Sequence, residues 1–103
     1  MEFTRDSVCM GDDIDAPHAR IVDLPPGSTL AEALGPAGPL PRYLASASGA
    51  WITWAAEAEG RALAEIDHCN AAGPRLELRL LVPDGPLTAT RVHFVHLRQR
   101  PVG

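Results

Sequence analysis

Apolar and polar positions alternate weakly at the start of the chain and clearly towards its end, with two stretches between that break the alternation. In residues 3–10, Phe3, Arg5, Ser7 and Cys9 face one way and Thr4, Asp6, Val8 and Met10 the other, a mixed pattern that predicts a strand with partial burial near a sheet edge. Residues 18–24 form a second, more apolar run that Pro25-Pro26-Gly27 ends, and Gly11-Asp12-Asp13-Ile14-Asp15 between them reads as an acidic hairpin loop. Thr29-Leu30-Ala31-Glu32 has the form of a capping box, in which hydroxyl and carboxylate satisfy each other's free amides, so a short helix is expected to about Leu34. Gly35-Pro36 stops it, since glycine suits a left-handed C-cap and proline cannot continue the ladder.

Residues 35–49 carry three prolines, three glycines and two serines around Tyr43 and Leu44, which predicts a long irregular connection pinned by those two side chains. From Ala50 the pattern turns to strands. Residues 51–56, a turn near Glu59-Gly60 and residues 62–68 make a hairpin, with Ala62, Ala64, Ile66 and His68 on one face and Leu63, Glu65 and Asp67 on the other. Asn70-Ala71-Ala72-Gly73-Pro74 breaks the chain before residues 76–82, where leucines alternate with charges. After the turn Pro83-Asp84-Gly85-Pro86, residues 91–99 are expected to pair back on residues 76–82 as a second hairpin. The result is one α+β domain over residues 1–103, mainly an antiparallel sheet of five to six strands with one short helix. No internal repeat is present.

A hairpin followed by a helix and further strands is the order of the β-grasp fold. Val22-Asp23-Leu24-Pro25-Pro26-Gly27-Ser28-Thr29-Leu30-Ala31-Glu32-Ala33-Leu34 resembles the strand-to-helix junction of the ubiquitin-like small sulfur carriers. The resemblance implies a β-grasp-like fold and, with it, an accessory or carrier role in a biosynthetic pathway. Those carriers end in a Gly-Gly tail that is adenylated or thiocarboxylated, whereas this chain ends Pro101-Val102-Gly103, so the resemblance bears on fold before chemistry.

Composition narrows the chemistry. A chain of 103 residues with 46% hydrophobic and 21% charged residues supports one core and is unlike a disordered chain. The net charge of −4 hides an asymmetry: five acids against Arg5 in residues 1–15, but five arginines against Glu77 and Asp84 in residues 75–103. That balance disfavours a dedicated nucleic-acid binder. All nine Lys and Arg positions are arginine, which excludes Schiff-base lysine chemistry and a Walker lysine. Two cysteines do not make the disulfide framework of a small secreted domain, no apolar run reaches the length of a membrane span, and acids stand where a signal peptide has cations. These features fit a cytoplasmic protein.

Candidate chemistry is sparse. Asp12, Asp13, Asp15 and His18 offer oxygens and one imidazole, yet they lack the EF-hand spacing, and acids in one loop commonly form a solvated turn or meet a basic partner. His68-Cys69 with His93 and His96 is a conceivable ligand set without a recognised zinc spacing. On a strand His93 and His96, three apart, face opposite sides. Ser46-Ala47-Ser48-Gly49 is not a nucleophile elbow, Cys9 lies among acids that disfavour its thiolate, and no glycine-rich phosphate loop occurs. Trp51 and Trp54 must also face opposite ways, one serving the core and the other available as a contact anchor near the Tyr43 loop.

The reading that follows is a small acidic protein-binding module without a cofactor, of the immunity-protein or antitoxin type, that meets a basic partner protein through Asp12, Asp13 and Asp15 with Tyr43 and Trp51 as anchors. Two alternatives remain: a metal-binding protein or metal-dependent enzyme using Asp13, Asp15 and His18 or His68, Cys69, His93 and His96, and a β-grasp accessory or carrier domain.

Overall fold

A computed structural model describes residues 1–6, 19–44, 50–69 and 75–101 of the chain. It is a small α+β domain. Its elements are β1 (Glu2–Arg5), β2 (Ala19–Ile21), α1 (Leu30–Leu34), a helical turn α2 (Leu40–Tyr43), β3 (Ala50–Ala58), β4 (Arg61–Cys69), β5 (Arg75–Leu80) and β6 (Arg91–Pro101). The strands form one sheet in the order β2-β1-β6-β3-β4-β5. All neighbours are antiparallel except β1 and β6, which run parallel with Phe3 opposite Val92 and Thr4 opposite His93. Among the described residues no helix is long and apolar enough to cross a membrane.

The expected second hairpin does not form. Residues 91–99 do not pair back on residues 76–82; β5 pairs only with β4, while β6 crosses to the middle of the sheet between β1 and β3. Both strands alternate apolar and charged residues, so local pattern cannot choose their neighbours. Burial chooses instead, because Val92 and Phe94 become fully buried between Phe3 and the β3 face.

One face of the sheet carries the core. Phe3, Val92, Phe94, Ile52, Trp54, Ala56, Ala64 and Ile66 are buried there against Leu30, Ala33 and Leu34 of α1 and Leu40 and Tyr43 of α2. Phe3, Phe94 and Tyr43 pack as an aromatic trio, with Phe3 and Phe94 edge to face at 5.2 Å between centroids. Tyr43 is 3% exposed, and burial pushes its phenol up to about 12. It is a core residue, a correction to its expected place as a contact anchor; Tyr43 and Leu44 do pin the connection as the pattern predicts.

The capping box forms in full: the Thr29 hydroxyl accepts from the Glu32 amide and the Glu32 carboxylate accepts from the Thr29 amide. Asp84 adds a third acceptor, taking the Ala31 amide and so tying the β5–β6 connection to the start of α1. Gly35 is extended (φ −85) rather than left-handed, which corrects the reason for a glycine at this position. A Cβ on Gly35 would collide with the Ala31 carbonyl oxygen. The β3–β4 turn uses Glu59 at φ 55 and Gly60 at φ 75, the pair of positive angles a two-residue hairpin turn needs.

Two stability predictions follow from these turns. Glu59→Asn relieves a left-handed conformation that a long side chain tolerates poorly, and raises unfolding free energy by roughly 0.5–1 kcal/mol in a denaturant titration. Thr29→Ala removes a helix cap and lowers it by about 1 kcal/mol in the same assay.

Candidate functional site

Period-two geometry gives the other sheet face to polar groups, and no described helix or strand lies over it. From β1 come Glu2, Thr4 and Asp6; from β6, Arg91, His93, Arg98 and Arg100; from β3, Trp51, Thr53 and Glu57; from β4, Glu65 and Asp67; from β5, Arg79. A β-bulge in β6 makes this possible: the pairing steps from Thr53–Arg98 to Trp54–His96 and leaves Leu97 as the extra residue. Without it, Arg98 and His93 would point to opposite faces.

Two clusters stand on this face. In the first, the buried carboxylate of Asp67 is the hub. The Thr53 hydroxyl donates to it at 2.6 Å and Arg79 Nη1 at 2.9 Å, and Arg79 also reaches Glu65 at 3.3 Å. Arg100 lies 4.0 Å from Asp67 and stacks its guanidinium 5.6 Å from the centre of the Trp51 ring. The Arg79 hydrogen bond is the main reason the Asp67 carboxyl is held below its ordinary range, against the opposing effect of burial.

The second cluster joins β1 to β6. Thr4 and Asp6 are two residues apart on one strand and so share a face, and His93 stands opposite Thr4 on the next. Thr4 Oγ1 lies 2.8 Å from His93 Nδ1, and His93 Nε2 lies 3.0 Å from Asp6 Oδ1. The other Asp6 oxygen accepts the His96 backbone amide at 3.0 Å, which fixes the carboxylate. An ionised carboxylate only accepts, so Nε2 carries the hydrogen; in the neutral ring Nδ1 is then the acceptor and the Thr4 hydroxyl donates to it. His93 and Asp6 are 41% and 42% exposed, and a cavity of about 270 Å³ lined by His93, Arg91, Thr90, Glu57 and Glu59 opens beside the imidazole.

No family model, curated protein or solved structure matches the chain. What the site can do therefore rests on its own geometry.

Asp12, Asp13, Asp15 and His18 lie outside the described residues, as does Cys9. Trp51 is half-buried on the polar face under Arg100, and Trp54 is buried in the core, so the two do face opposite ways. His68 faces the core and Cys69 the polar face; His93 faces the polar side, and His96 packs edge-on against Trp54 with ring centroids 5.7 Å apart. The ligand set His68, Cys69, His93 and His96 is thus split between two faces, as strand parity predicts for His93 and His96. Among the described residues no three His, Cys, Asp or Glu side chains are placed to hold a metal ion. The Thr4–His93–Asp6 cluster has no sequence signature, because its partners are 89 and 87 residues apart in sequence.

The buried titratable groups set a pH dependence. Burial is the larger influence on His68 and lowers its affinity for a proton, while the bond from Nε2 to the Pro41 carbonyl oxygen opposes it. An unfolded chain with the ordinary value of 6.5 takes up a proton that the folded chain refuses, so stability is full above pH 6.5 and declines below it. Asp67 has the opposite origin and a lower window: its contribution is present above 3.8 and is lost as pH falls through its depressed folded value. Denaturant midpoints measured against pH will show both losses; His68→Gln flattens the upper one, and Asp67→Asn removes the lower one while costing about 1–2 kcal/mol at pH 7.

Proposed function

We propose that this domain is a protein-binding module that meets a basic partner through its N-terminal hairpin, as a small inhibitor of the immunity-protein or antitoxin type would. The observation that carries the reading is the state of β2. It is an edge strand of three residues, every one exposed, with Ile21 at 70%. Because β1 and β2 pair antiparallel, residues 7–18 connect them, and that connection holds Asp12, Asp13 and Asp15. An exposed edge and an apolar side chain a few residues from three carboxylates supply what a docking segment needs: a backbone ladder, an anchor and charge that speeds encounter with a cationic surface.

Trp51 supports the same reading. β1 runs parallel to β6 and so points towards the end of the sheet where β6 carries Arg100 and β3 begins with Trp51. A half-buried ring under Arg100 at that end is the kind of aromatic that anchors a contact. The strand order favours a second reading, a β-grasp-like accessory domain, because an N-terminal hairpin beside a parallel last strand, with the helix across one face, is the arrangement that fold implies.

Native mass spectrometry of the untagged protein recovered from its own cells tests the first reading. The expected result is a complex with a second polypeptide that dissociates more readily as salt rises and is lost when Asp12, Asp13 and Asp15 are all changed to Asn, the melting temperature being unchanged. Trp51→Ala weakens the same complex by about tenfold or more. An identical spectrum for the wild type and the triple variant overturns the reading, and an excess mass that corresponds only to a metal ion favours the metal-binding alternative.

A further inference from the structure

Beyond binding, the polar face holds one arrangement whose chemistry the proposed function does not use. We infer that Thr4, His93 and Asp6 form an acyl-transfer site, in which Thr4 is the nucleophile, His93 the general base and Asp6 the residue that positions the imidazole. The inference stands on a hydroxyl, an imidazole and a carboxylate joined in series at 2.8 and 3.0 Å, the carboxylate in turn fixed by a backbone amide. A nucleophile in hydrogen-bond reach of a base, with a third group orienting that base, is the signature of covalent catalysis. A threonine that only solvated a strand would not need its partner held on the far side by an ionised group.

The surroundings define the substrate. The cavity beside His93 is small, about 270 Å³, with Ala58 and Ala89 among the polar groups of its wall, so it takes a short acyl or leaving group rather than a long chain. Glu57 and Glu59 on its wall disfavour an anionic substrate, and Arg91 in the same wall is already paired with Glu2, so a neutral substrate meets the least opposition. Thr4 itself is half-buried, and its neighbour across β2 is the exposed Ala19, which leaves the hydroxyl approachable from the open face. A neutral short-chain ester or thioester fits these constraints.

The step balances without a further reagent. Thr4 Oγ1 attacks the carbonyl carbon while its proton passes to His93 Nδ1. The tetrahedral intermediate collapses, the bond from carbon to the leaving oxygen or sulfur breaks, and the imidazolium returns the proton to the leaving group. Water then attacks the acyl-threonine ester, giving its proton to His93 Nδ1; the carboxylic acid leaves and Thr4 Oγ1 recovers the proton. Asp6 keeps Nε2 as a donor throughout and stabilises the imidazolium.

The probe is p-nitrophenyl acetate, used on the full chain. The expected result is a burst of nitrophenol matched by one acetyl group, which fragment ions place on Thr4 and not on the Met1 amine. Thr4→Ser keeps the burst and Thr4→Val abolishes it, both melting as the wild type does. His93→Gln slows acylation by about a hundredfold or more. Asp6→Asn alters the shape of the rate–pH profile, which a purely structural change would only scale. If the wild type carries no acetyl on Thr4, or if Thr4→Val and His93→Gln acylate at the wild-type rate, the inference is wrong; should a variant fail to fold, the mapping of the acetyl on the wild type decides alone.

Discussion

The parallel pairing of β1 with β6 holds the domain together, because without it the N-terminal hairpin would have no contact with the four-stranded remainder through the sheet. The pairing closes a loop of nearly the whole chain, with Phe3 against Val92. The length-dependent part of that closure costs about 4 kcal/mol. Fully burying Phe3, Val92 and Phe94 returns about 1.5–3 kcal/mol for each side chain, so their burial offsets the closure with a margin. The aromatic trio then extends the same contact to α2 through Tyr43. One ladder thus links hairpin, sheet and helical cover.

The same ladder fixes which side of the sheet is polar. Val92 and Phe94 must lie inward, so Arg91 and His93 lie outward; the extra residue at Leu97 resets the count and turns Arg98 and Arg100 to the outer face as well. The core side is not purely apolar, since His68 Nδ1, His96 Nε2 and Trp54 Nε1 are buried without a hydrogen-bond partner among the described residues. Each such group costs about 1–3 kcal/mol, a sizeable part of a small domain's stability, which explains why one more proton on His68 weighs on the fold. On the outer face, by contrast, polar groups answer one another: Arg91 pairs with Glu2, Arg79 with Glu65 and Asp67, and His93 hydrogen-bonds to Asp6.

What could be read in the chain was local. Thr29 and Glu32 three apart specify a capping box whatever surrounds them, Glu59-Gly60 specifies a tight turn, and the alternation of Ala64, Ile66 and His68 specifies which side chains go inward; Ala62, expected on the same face, is exposed opposite Glu57 because the pairing shifts by one residue at Leu63. What could not be read was long-range. Residues 75–80 and 91–101 carry similar alternation, and only burial against Phe3 and β3 tells which is central. The bulge at Leu97 has no local marker, and neither does the contact between Thr4 and His93, which depends on the register of strands at opposite ends of the chain. In sequence Tyr43 reads as a loop aromatic, because its role comes from Phe3 and Phe94, both distant along the chain.

Site and core therefore share one constraint. A slip of β1 by a single residue would exchange the faces of Phe3 and Thr4, removing a ring from the core and turning the hydroxyl away from His93 in one move. The hydroxyl–imidazole–carboxylate series is consequently as well positioned as the core is packed, although it sits on a short strand at the start of the chain. The hairpin that carries Thr4 and Asp6 also carries the exposed β2 edge, so a partner that draws on that edge pulls on β1. β1 is thus shared between the hairpin edge and the geometry at His93, and its parallel ladder to β6 sets both.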